Sequence, residues 1–202
     1  MKKPLDPGLW TPRSPEDTRA LYAEWATGYD ADLDRAGYRT PGRVAAALAG
    51  HLPDRAAPIL DFGCGTGLSG RALKAQGFTT IDGTDITPEM LTLAWESGMY
   101  RRVWAGEPGQ LGDVSPGDYA AITAVGVVSY GAAPPETLGM LVDALAPGGL
   151  LAFSYNDSTL ADDDYMDAYD AALTRTDLLF ADYGPHLIEK DMGSKVFVLR
   201  RT

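Results

Sequence analysis

The feature that most constrains this chain is the run Ile59-Leu60-Asp61-Phe62, followed at once by Gly63-Cys64-Gly65-Thr66-Gly67 and then by a helical pattern from Leu68. A short apolar run bounded by turn residues reads as a buried strand. Three spaced glycines let the chain turn tightly and leave bare backbone on which a ligand can lie.

The rest of the chain repeats this alternation of short apolar runs and helical segments, which predicts a parallel sheet with helices on both faces. Strands are expected at Ile59–Phe62, Thr79–Asp85, Arg102–Ala105, Tyr119–Val125 and Leu150–Tyr155. Helices are expected at Leu68–Gln76, Pro88–Ser97, Pro135–Leu145 and near Tyr165–Thr176. The stretch Gly106–Gly117 has little helical pattern, so the crossover helix there is expected to be short or absent. Two extended runs, about His186–Lys190 and Lys195–Arg200, read as a C-terminal antiparallel hairpin joined by Met192-Gly193-Ser194.

Ahead of the first strand, residues 1–13 carry Pro4, Pro7, Gly8 and Pro12 and are expected to form an irregular arm. Ser14 is a helix N-cap with Pro15 in the first helical position, and the helix it starts is expected to run to about Tyr29. A second helix should begin near Pro41. The predicted fold is a Rossmann-like, doubly wound α/β sheet, preceded by N-terminal lid helices over 14–57. The core spans 58–202, all in one domain of 202 residues.

Charge narrows the partners. With 17 Lys and Arg against 28 Asp and Glu, the net charge of −11 repels phosphate backbones and anionic headgroups, so neither nucleic acid nor a membrane is expected. No apolar stretch approaches the ~20 residues of a membrane helix. The first residues lack the apolar segment of a secretory signal, which makes the cytoplasm the expected location. The single Cys64 excludes an internal disulfide, and with only His51 and His186 beside it no metal site is expected. Neither histidine is placed by a motif, and both read as surface or structural residues.

The glycine loop admits two ligands. Gly65-Thr66-Gly67-Leu68-Ser69-Gly70 fits a dinucleotide fingerprint, and Asp85 lies where such a site places its ribose-binding acid. Three features favour a methyl donor. Asp61, at the strand end, suits a ligand amino group and would repel a pyrophosphate. The chain lacks a second catalytic domain and a Tyr-x-x-x-Lys pair. Its final hairpin departs from the usual dehydrogenase ending.

These residues resemble class I S-adenosylmethionine-dependent methyltransferases. Ile59 to Gly67 resembles their first motif, Gly83-Thr84-Asp85-Ile86-Thr87-Pro88-Glu89-Met90 their second, and Ala146-Pro147-Gly148-Gly149-Leu150 the turn before their fifth strand. Within that superfamily, Tyr29-Asp30-Ala31-Asp32-Leu33 and Gly37-Tyr38-Arg39-Thr40-Pro41 resemble small Williams-Beuren region methyltransferase-like and bacterial TPR-associated enzymes. The resemblance implies S-adenosylmethionine as cofactor and S-adenosylhomocysteine as product. It also implies cofactor contacts from Asp61, Gly63, Cys64, Gly65, Gly67, Asp85 and Ile86. Glu107 would take the place of the family's acid after the third strand, although Gly106-Glu107-Pro108 departs from the usual pattern there.

A sulfonium methyl is already activated, so such an enzyme mainly aligns a nucleophile and excludes water. Tyr22, Trp25 and Tyr29, at helical spacing, are either cation–π partners of the sulfur or core residues. Acceptor-pocket candidates are Tyr130, Tyr155, Asn156 and Arg39, the last equally suited to a carboxylate or a surface ion pair. The acceptor is expected to be a small molecule. A nicotinamide oxidoreductase and a non-catalytic binder of the same cofactor remain open at this point, as does the oligomeric state.

Overall fold

The structure is a computed structural model that describes Leu5 and residues 7–202; residues 1–4 and 6 of the expected arm lie outside the described residues. A turn of 3-10 helix at Pro7–Trp10 breaks the remainder of that arm. Helix α1 spans Pro15–Ala36. Its N-cap works as the sequence predicts: Ser14 Oγ accepts from the Asp17 amide at 3.1 Å and donates to the Asp17 carboxylate at 2.9 Å. The helix runs past the expected end at Tyr29 and stops where Gly37 adopts φ 71°, with the amides of Gly37 and Tyr38 closing on Asp34 and Leu33. Gly28 does not end it, because a mid-helix glycine costs only about 1 kcal/mol. Packing of Trp25, Leu33 and Ala36 against Leu5 and Leu187 outweighs that cost.

Helix α2 is Thr40–His51. Five parallel strands then alternate with helices: β1 Ile59–Phe62, α3 Leu68–Ala75, β2 Ile81–Asp85, α4 Pro88–Glu96, β3 Arg102–Ala105, β4 Ala121–Ala124, α5 Glu136–Asp143 and β5 Leu150–Asn156. No helix separates β3 from β4. After the short α6, Asp157–Leu160, and α7, Asp163–Leu173, the chain ends in β6, Thr176–Leu187, and β7, Met192–Arg201. The sheet order is β3-β2-β1-β4-β5-β7-β6, with β7 antiparallel to both neighbours.

Alternation along the strands divides the core between two faces. Leu150, Ala152, Val196 and Val198 pack with α2 and α3, whereas Leu151, Phe153, Phe197 and Leu199 pack with α5 and α7. The hairpin differs from expectation. Strand β6 begins ten residues before the predicted run, and the true turn is Ile188–Asp191, closed by Asp191 at φ 49°. Gly193 lies inside β7, where a Cβ would stand 2.0 Å from the Tyr183 hydroxyl. That glycine makes room for a cross-strand tyrosine and marks no turn.

Candidate active site

Strand order reverses between β1 and β4, and a crevice opens there at the carboxyl ends of the strands. It holds a cavity of about 370 Å³. Phe62, Gly63 and Gly65 come from the end of β1, and Thr84 to Thr87 from the end of β2. The loop after β3 supplies Gly106 to Gln110, and the loop after β4 supplies Val127 and Ala132 to Pro134. Arg13 and, from α1, Pro15, Thr18, Tyr22 and Tyr29 close it from above. Among the described residues, none beyond Thr137 lines it.

Asp85 anchors one end. Its Oδ2 accepts from the Gly65 amide at 3.0 Å and its Oδ1 from the Thr87 amide at 2.9 Å, which fixes the carboxylate at the cavity wall. Burial lifts its pKa above the ordinary value, while those amides oppose the shift by favouring the charged form. Gly65 has φ 52°, and a Cβ there would meet no protein atom within 4 Å, so the space in front of it is open. Gly63 is required by packing: a Cβ would lie 2.4 Å from Val127 Cγ2. Ile86 and Glu107 also line the cavity, and Arg19 of α1 reaches both. Its Nε donates to the Ile86 carbonyl at 2.8 Å, and its guanidinium lies 3.7 Å from the exposed Glu107 carboxylate.

The two tyrosines expected at the cofactor face the cavity, with ring centroids 6.1 Å apart. Burial raises the pKa of both phenols, and Asp85 adds to the effect. Both stay protonated at neutral pH. Trp25 does not reach the cavity; it packs on Tyr29 at 4.6 Å and donates to Asp32 Oδ2 at 2.9 Å.

Several expected residues stand elsewhere. Asp61 is fully buried and lines no cavity; its carboxylate accepts from Ser69 at 2.5 Å, Tyr100 at 2.7 Å and Thr123 at 2.8 Å. Gly67 starts α3 at φ 101°, where a Cβ would press on Ser97 and Tyr100. Cys64, its thiol pushed well up by burial, faces a second, smaller chamber of about 30 Å³ that shares Tyr29, Gly63 and Gly65 with the main cavity. Tyr38 also lines this chamber.

The acceptor candidates are not brought to the cavity. Tyr155 is wholly buried among Phe153, Tyr165 and Phe197, because β5 is covered on both faces. Asn156 caps α6, accepting from the Thr159 amide at 3.0 Å. Tyr130 packs against the core beside it. Arg39 is exposed, and its amide is bonded to the His186 carbonyl. In their place the cavity takes Arg13, Val127, Ala132, Ala133, Pro134 and Thr137. The switch-point rule foreshadowed the loop after β4, but no pattern in the arm singled out Arg13.

The methyltransferase domain family matches residues 33–184. The chain belongs to this family of class I S-adenosylmethionine-dependent methyltransferases. That membership decides against the dinucleotide reading of the glycine loop. Among related methyltransferases, human methyltransferase-like protein 27 is 36% identical over 160 residues, 77% of this chain and 64% of that protein. The ribosomal protein L11 methyltransferase of Pseudomonas paraeruginosa is 31% identical over 152 residues, 74% of this chain and 43% of that protein. The chain thus spans less than two thirds of either relative. The magnesium protoporphyrin IX methyltransferase of Synechocystis PCC 6803, solved with bound S-adenosylmethionine, shares the fold with a TM-score of 0.68. It is 18% identical and covers 95% of this chain and 100% of its own. No helix among the described residues is long and apolar enough to cross a membrane.

Proposed function

We propose that the chain transfers the methyl group of S-adenosylmethionine to a small-molecule acceptor, leaving S-adenosylhomocysteine. The observation that carries this reading is the joining of Asp85, open space at Gly65 and two cavity-facing tyrosines around one cavity of about 370 Å³. That volume falls in the range of about 300–1,000 Å³ typical of small-molecule sites. The residues fit the group. Asp85 has lone pairs left to accept from ribose hydroxyls, Gly65 admits a ligand onto its backbone, and the tyrosine faces attract a sulfonium.

The cofactor supplies a methyl already activated by positive sulfur. The chain's own part is to orient an acceptor and exclude water. Helix α1 does the second as a lid, held down through Arg19 on Ile86 and Asp30 on Thr66. Among the described residues, no histidine lines the cavity, and its phenols are held protonated. The acceptor therefore brings its own nucleophile, in ionised or neutral form. The acceptor end, with Val127, Ala132, Ala133 and Pro134, favours an apolar small molecule. The net charge of −11 supports this over nucleic acid.

The test is a screen of thiols, phenols, carboxylates and amines with labelled S-adenosylmethionine, reading S-adenosylhomocysteine release. Turnover with one class supports the reading. Tight cofactor binding without turnover on any class would make the protein a binder.

A further inference from the structure

The acceptor end of the cavity carries one side chain that the function proposed above leaves unused, that of Arg13. The arm that bears it lies directly on Gly131 of the loop after β4, where a Cβ would stand 2.7 Å from the Leu9 carbonyl oxygen and 2.9 Å from that of Thr11. Arg13 folds back over this contact, and its Nη2 donates to the carbonyls of Leu9 and Gly131 at 2.6 Å each. Two carbonyls from distant parts of the chain thus fix the guanidinium at the wall it shares with Ala132, Ala133 and Pro134.

Arg13 is the one cation among the described residues that line the cavity; the two acids, Asp85 and Glu107, come from the loops after β2 and β3. Its charge is felt at Tyr22. Burial raises the pKa of that phenol and the guanidinium opposes the rise, so the hydroxyl is a donor at neutral pH and stands within the field of Arg13. The Tyr22 hydroxyl has no hydrogen-bond partner among the described residues. A fixed guanidinium and an uncommitted phenol donor, beside the apolar Val127, Ala132, Ala133 and Pro134, select a carboxylate on an apolar body.

We propose that the acceptor is an apolar carboxylic acid whose carboxylate is held by Arg13 and Tyr22 and is itself the group methylated. The inference rests on the functional reading above and names its substrate class. A carboxylate is ionised at neutral pH, so no proton has to be removed in a cavity whose described residues include neither histidine nor lysine. One carboxylate oxygen forms the bond to the methyl carbon while the methyl–sulfur bond breaks and its electron pair passes to sulfur. The products are a methyl ester and S-adenosylhomocysteine, and the other carboxylate oxygen keeps the two donors throughout.

The test offers phenylacetate and the straight-chain acids from butanoate to decanoate, each beside its primary amide, to the full chain, Arg13→Gln and Tyr22→Phe. Labelled S-adenosylmethionine reports base-labile methyl ester, and calorimetry on protein loaded with S-adenosylhomocysteine reports acid binding without turnover. Glutamine keeps an amide that can donate to the arm and loop carbonyls but carries no charge, and phenylalanine keeps the ring. The parent is expected to bind and esterify an acid and to ignore its amide. Each variant should lose at least about tenfold in affinity for that acid, as loss of a hydrogen bond to a charged group implies, with the preference over the amide shrinking in step. Arg13→Gln should bind S-adenosylhomocysteine as the parent does. An acid preference equal in parent and variants, no acid bound by the loaded parent, or turnover only on neutral thiols, phenols or amines overturns the assignment and leaves methyl transfer standing. If the parent does not bind S-adenosylmethionine at all, the functional reading itself falls, and this assignment with it.

Discussion

Replacing Asp61 by alanine should destabilise the empty protein, because its carboxylate is the shared acceptor of a buried cage. Ser69, Tyr100 and Thr123 donate to it from α3, the chain before β3, and β4. Each bond to a carboxylate contributes about 1.5–3 kcal/mol, so losing three costs roughly 5–9 kcal/mol before burial of the charge is set against it. Burial opposes part of this, since it raises the Asp61 pKa against the pull of the three hydroxyls, and relief of that strain on the charge returns some stability. A net loss of about 3 kcal/mol corresponds to a fall of roughly 6–12 °C in melting temperature for a domain of this size. Asp61→Asn keeps the shape and one acceptor oxygen and should lose about half as much. The assay is thermal unfolding followed by circular dichroism without cofactor. An alanine variant melting within about 2 °C of the parent would show that the cage contributes nothing and refute the reasoning.

Gly65→Ala and Asp85→Ala should each abolish or greatly weaken S-adenosylmethionine binding with the fold intact, one by filling the open space before the loop and the other by removing the ribose acceptor; calorimetry with parent-like affinity in either would move the cofactor elsewhere. His186 is buried against Thr40, and desolvation pushes its pKa down to about 4 from 6.5. The unfolded chain therefore binds the extra proton, and stability falls as pH drops from about 6.5 towards 4 by up to about 3 kcal/mol. Urea titrations should show that slope, and His186→Gln should flatten it, even though the raised pKa values of Asp61 and Asp85 act in the opposite sense at the acid end. Amides over residues 14–40 should exchange faster without cofactor than with it, and equal protection in both states would make α1 a fixed scaffold rather than a lid.

The fold was legible where local signals agreed. Apolar runs bounded by turn residues placed β1 and β3 with their observed ends, and Ser14-Pro15 placed the start of α1. It was illegible where tertiary packing overrode local propensity. Strand β6 lies at the sheet edge with mostly exposed and half-buried residues, and its short apolar run Leu178–Ala181 shows no clean alternation and is soon followed by Gly184-Pro185, which reads as a turn. In the site, the glycine loop and Asp85 were visible because their chemistry is local. The acceptor wall was not, because one residue of phase along a doubly covered strand decides which face Tyr155 enters, and here that face is core. Its neighbour Asn156 was already committed to capping a helix.

Among the described residues, those that line the cavity all occur before Leu138, while β5, α7, β6 and β7 supply a large part of the buried core. Contact with the cavity is therefore confined to the first two thirds of the sequence, whereas the core draws on both parts. A change in the last third bears on stability without touching the cavity wall, and a change in the first two thirds can bear on both. A lineage can exchange its acceptor by rewriting the arm and two loops, without reopening the problem of how the sheet closes.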